Sequence, residues 1–99
     1  MRIDDAMILK PILSNHFKST RKRLNLSQSD MSERLHISAR SYADIERGIC
    51  LCSAPVLLRF ILYCELTPLE LLELLENVSD GFEQGGAASS ESPPTEPNV

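Results

Sequence analysis

The chain has 99 residues, of which 42% are hydrophobic and 24% charged, and its ten Lys and Arg face fourteen Asp and Glu for a formal net charge of −4. These values fit one small globular domain, and no apolar run of about 18 residues is present to span a membrane. Taken as a total, the acidic sum argues against a nucleic-acid partner.

In chain order, Asp4 and Asp5 precede only a short apolar stretch, so no signal peptide is expected and residues 1–10 read as an N-terminal arm. Pro11 suits the first turn of a helix running through Phe17, Thr20 and Arg21 to about Leu24. Asn25 follows where a left-handed capping residue is wanted. Ser27, with Asp30 three residues on, opens a second helix of about two turns whose inner face is Met31 and Leu35. His36, Ile37 and Ser38 connect it to a third helix, capped by Ser38, with Tyr42 and Ile45 inward and Gly48 at its end. Ser53 caps a fourth helix with Pro55 in its first turn and an apolar stripe of Leu57, Leu58, Ile61 and Cys64. Thr67-Pro68-Leu69-Glu70 is a capping box that opens a fifth helix. There Leu71, Leu75 and Val78 are expected to face the core, leaving Leu69, Leu72 and Leu74 as candidates for a dimer contact. The last segment, residues 80–99, holds three Gly, three Pro and three Ser, and reads as a disordered acidic tail. The expected fold is all-α: a compact five-helix bundle over residues 11–79, with the tail outside it.

The charge is unevenly placed. The tail's Asp80, Glu83, Glu91 and Glu96 account for the whole −4. Residues 14–59 carry eight basic groups against four acids, so the middle of the domain is basic. The acidic total therefore does not count against DNA.

Three residues between the second and third helix force a sharp angle, the geometry of a helix-turn-helix. The stretch from Leu26 to Gly48, with Leu-Ser-Gln at its start and Ile-Glu-Arg-Gly at its end, resembles the helix-turn-helix of the phage lambda repressor and Cro-like (XRE-type) family. The resemblance extends from about Leu13 to Val78 and includes the Thr-Pro-Leu-Glu-Leu-Leu start of the fifth helix. It departs from the family pattern at Ser32, at His36 in place of a turn Gly, and at the apolar loop Ile49–Cys52.

The resemblance implies a role for several residues. The third helix would enter the major groove, with Ala39, Arg40, Ser41 and Asp44 at the base-contacting places. Arg40 suits bidentate pairing with guanine; Asp44 either accepts from cytosine or holds Arg40 by an i,i+4 pair. Gln28 and Arg47 fall at phosphate-contacting places, and Lys22 and Arg23 are exposed by helical phase. Arg21 and Glu46 match the family's largely buried ion pair.

The implied function is a sequence-specific double-stranded DNA-binding regulator of bacterial or phage origin, a cytoplasmic repressor acting as a homodimer. The alternative is a protein-interaction module, an antitoxin or antirepressor-like adaptor, docking through Ile49–Cys52 or the fifth helix. A third reading is a thiol sensor. Cys50, Cys52 and Cys64 make a poor zinc pattern, no disulfide framework is expected, and no metal or other cofactor is implied. No catalytic constellation is recognisable, so no enzymatic activity is expected.

Overall fold

The computed structural model describes residues 4–85. Five helices follow in order: α1 (Asp5–Arg23), α2 (Gln28–Leu35), α3 (Ala39–Glu46), α4 (Ala54–Tyr63) and α5 (Pro68–Gly85). No strand occurs among the described residues. Their buried centre is Leu13, Phe17, Met31, Leu35, Tyr42, Ile45, Val56, Phe60, Cys64 and Leu74. Phe17 is the pivot: its ring lies 4.1 Å from that of Phe60 and 6.1 Å, edge-on, from that of Tyr42.

The helix starts obey local chemistry. Ser27, Ser38 and Ser53 each accept from the backbone N–H three residues on. Ser27 and Asp30 form a reciprocal capping box, and so do Thr67 and Glu70. Left-handed residues close the turns: Asn25 and His36 at φ 60°, and Gly48 at φ 75°. Glu65 adopts φ 56° after α4, a place where the sequence carries no Gly or Asn to announce it.

Both terminal helices are longer than expected. α1 begins at Asp5, not near Pro11, because Asp4 caps it by accepting from Met7 N–H at 3.0 Å. Pro11 therefore lies inside the helix, where it removes a backbone donor. Tertiary packing offsets that cost. Leu9 and Ile12 pack against the core, and Ile8 and Ile12 approach α5 at Gly81. A Cβ on Gly81 would stand 2.8 Å from Ile8 Cγ2 and 3.0 Å from Ile12 Cδ1, so glycine permits the approach of α1 to α5. For the same reason Asp80–Gly85 belong to α5 and not to a tail; residues 86–99 lie outside the described residues.

Two side-chain assignments also change. In α5 it is Leu74 that is buried, with Val78 packed against the core, while Leu75 is 56% exposed. Leu74 is therefore a core residue and not a dimer-contact candidate; Leu69 and Leu72 are exposed as expected. In α4 the buried positions are Val56, Phe60 and the capping Cys64, and Leu58 faces outward. Periodicity cannot select the inner face of a helix that is apolar nearly all round.

Candidate nucleic-acid interface

The pair α2–α3 is joined by the three expected residues. His36 turns the chain in the left-handed region, its N–H bonded to Glu33 O and that of Ile37 to Ser32 O. These bonds satisfy the last carbonyls of α2, and half-buried Ile37 packs against the core beside the turn. α3 then buries Tyr42, Ile45 and Glu46 and leaves Ala39, Arg40 and Ser41 exposed on its first turn.

Glu46 organises this pair. Its Oε2 accepts from Arg21 Nε at 2.5 Å, and its Oε1 from Arg21 Nη2 at 3.3 Å and from Gln28 Nε2 at 2.9 Å. The Tyr42 hydroxyl also donates to Oε2, and the Ser14 hydroxyl to the Glu46 backbone carbonyl. Arg21 donates further to the carbonyl of Leu26 at 3.0 Å. One carboxylate, 3% exposed, thus ties α1, α2 and α3 together. Burial works to raise its pKa, but the bonds from Arg21, Tyr42 and Gln28 outweigh burial and hold it below the ordinary carboxylate value. The Arg21 guanidinium is correspondingly raised by its bond to Glu46, and burial pushes the Tyr42 phenol well up.

The expected Arg21–Glu46 pair is present, and two further members join it. The sequence by itself places Tyr42 in the core, and the resemblance places Gln28 at a phosphate. The signal for Tyr42 was in the sequence: a buried phenol needs a partner, and Glu46 stands four residues on. Nothing in the spacing announced Gln28, whose partner is 18 residues away.

Asp44 does not hold Arg40 as expected: its carboxylate accepts from Arg47 Nη2. Arg40 makes no hydrogen bond or ion pair among the described residues, and its side chain is exposed. Ser38 Oγ, which caps α3, lies 3.0 Å from Ser41 Oγ, so the exposed Ser41 hydroxyl leans on the helix cap.

The basic middle segment is largely consumed within the protein. Arg23 is not a free surface charge: its Nε pairs with Glu70 at 2.7 Å and its Nη2 donates to Glu65 O at 3.2 Å. Arg34 donates to the carbonyl of Tyr63 and Arg59 to that of Leu35, closing the ends of α4 and α2. Among the described residues, Lys22 and Arg40 are exposed cations without an internal partner.

The three thiols do not converge. Cys64 is buried with Sγ 3.8 Å from Met31 Sδ. Cys50 is exposed, and with half-buried Cys52 lines a shallow cleft against Ser41 and Asp44 of α3. Burial raises the thiol pKa of both Cys52 and Cys64. No group of three or more metal-ligating side chains occurs among the described residues, and no described helix is long and apolar enough to cross a membrane.

A family model described as a helix-turn-helix domain matches residues 12–75, the span that holds α2, α3 and the Glu46 network. No curated protein and no solved structure matches the chain. A domain of this kind supports a DNA-binding regulator in general, with DNA as a partner. With the match covering more than half the chain and the two helices meeting as that family requires, the protein belongs to the helix-turn-helix domain family, which includes the lambda repressor-like domains.

Proposed function

We propose that the protein is a sequence-specific double-stranded DNA-binding regulator of bacterial or phage type, and that it represses by occluding a promoter. The observation that carries this reading is the division of α3. One face is locked into the core by Tyr42, Ile45 and Glu46, and the first turn presents Ala39, Arg40 and Ser41 outward. A recognition helix needs both a rigid seat and a free N-terminal turn to meet base edges. Arg40 is the reader, because an unpaired guanidinium can take guanine O6 and N7 together. Ala39 offers a methyl to thymine, and Ser41 a hydroxyl to either neighbour.

Phosphates complete the contact. Gln28 at the start of α2 keeps its amide oxygen and its backbone N–H beside that helix terminus, and Arg47 lies at the end of α3. Asp44 serves here as the anchor of Arg47, which positions that guanidinium for the backbone. Two copies on half-sites about one helical turn apart would double the reading.

Selection of bound duplexes from a random DNA pool tests this. Enrichment of a short motif containing guanine, as one site or as an inverted repeat, is the expected result. Retention no better than that of a random competitor at low salt would sink the reading.

A further inference from the structure

α5 carries three parallel stripes, each displaced by one residue from the last. Leu74, Val78 and Gly81 form the first, which faces the core and α1, with half-buried Leu71 at its start. Leu72, Leu75, Ser79 and Phe82 form the second, at the same i, i+3, i+7, i+10 spacing, and all four are exposed. Leu72 is 51%, Leu75 56% and Phe82 41% exposed. Glu73, Glu76, Asp80 and Glu83 form the third, also exposed, along the outer edge of the second. The helix contains no Lys or Arg, and its remaining acid, Glu70, is held by Arg23. An apolar stripe at a/d-like spacing is a seam for another helix, and nothing in the described domain fills it.

We propose that the outer face of α5 docks an amphipathic helix of a different protein, one whose apolar stripe is edged with Lys or Arg. Charge complementarity selects that occupant. A second copy paired antiparallel through the same stripe brings a row of acids against a row of acids, with no base on either helix. The chain's own outer segments do not fit: residues 1–3 are too few to cover the stripe, and residues 86–99 contain two acids, no base and a single large apolar residue, Val99. A basic helix covers the seam and neutralises Glu73, Glu76, Asp80 and Glu83 together. Leu69 and Leu72, the exposed candidates for a contact between copies, become part of that partner's footprint. This docking does not depend on the DNA reading, since α3 and α5 present different surfaces.

The test uses the full chain and three labelled synthetic peptides followed by fluorescence anisotropy. One has a Leu stripe edged by Lys, one the same stripe edged by Glu, and one the Lys composition scrambled out of register. The Lys-edged peptide should bind at least about tenfold tighter than either control. Leu72→Asp with Phe82→Asp should abolish that binding. Glu76→Lys with Glu83→Lys should transfer the preference to the Glu-edged peptide. Thermal melts of each variant separate lost docking from lost folding, and the charge swap stands even if the Asp variant unfolds. Equal binding of the Lys- and Glu-edged peptides overturns the proposal. So does a stable dimer of the chain at neutral pH that Leu75→Asp dissociates, which would make a second copy the occupant.

Discussion

Gln28, the first residue of α2, donates its side-chain amide to Glu46, the last residue of α3, at 2.9 Å. The two helices of the helix-turn-helix are therefore tied end to end through the same carboxylate that pairs with Arg21. The consequence is a ranking of substitutions. Arg21→Ala strips the buried carboxylate of its counter-charge and should cost about 3 kcal/mol. Gln28→Ala removes one neutral donor to it and should cost about 1 kcal/mol. Urea unfolding of the three proteins, read for midpoint at constant slope, checks the order. Equal losses would mean that Gln28 and Arg21 share the carboxylate on equal terms.

The same carboxylate sets an acid limit. Its folded pKa lies below the unfolded value, so its stabilisation is fully present above the ordinary carboxylate range, near pH 4. It is lost as pH falls through the folded value. Glu46→Gln has no such group to protonate. Its melting temperature should be lower than that of the parent at neutral pH, and the gap should narrow below about pH 4. A constant gap across that range would remove Glu46 from the acid response.

Arg40 is exposed and without an internal partner, so its loss should not affect folding. Arg40→Ala should leave the melt unchanged while lowering discrimination at one base pair by about 1–3 kcal/mol. Arg47→Ala, in contrast, should weaken all sequences alike and flatten the salt dependence by about one phosphate contact. Binding titrations on the selected site and on single-base variants distinguish the two.

The paired helices α1 and α5 each hold a residue that disfavours helices, Pro11 and Gly81. Pro11→Ala restores a backbone donor inside α1 and should stabilise by up to about 3 kcal/mol. Gly81→Val puts methyl groups where Ile8 and Ile12 already stand and should destabilise by about 1–3 kcal/mol. Calorimetry of both variants tests the pair, and a stabilised Gly81→Val would show that the two helices separate at little cost.

The thiols should separate by accessibility. Cys50 should react first with an aromatic disulfide reagent, Cys52 more slowly, and Cys64 only on unfolding. Reaction of Cys64 at the rate of Cys50 under native conditions would contradict its place in the core.

What the sequence determined was what lies within a few residues along the chain. Ser27, Ser38, Ser53 and Thr67 cap their helices through backbone groups three positions away, and Asn25, His36 and Gly48 turn left-handed. Such bonds need no tertiary partner, so the five helices and the sharp α2–α3 turn were legible, while the outward first turn of α3 came through the family resemblance. The Arg21–Glu46 pair was legible only through the family resemblance, because nothing local joins two residues 25 apart.

Tertiary structure decided the rest. It extended α1 past Pro11 and α5 past Gly81, because burial between the two helices outweighs the local cost of either residue. It chose Leu74 over Leu75 for the core, since a helix apolar on adjacent stripes has no preferred inner face until a neighbour covers one. Counting charges also overstated how many basic side chains are free of internal bonds. Arg21, Arg23, Arg34 and Arg59 bind carboxylates and helix-end carbonyls brought in by folding, which leaves Arg40 as the free guanidinium on α3.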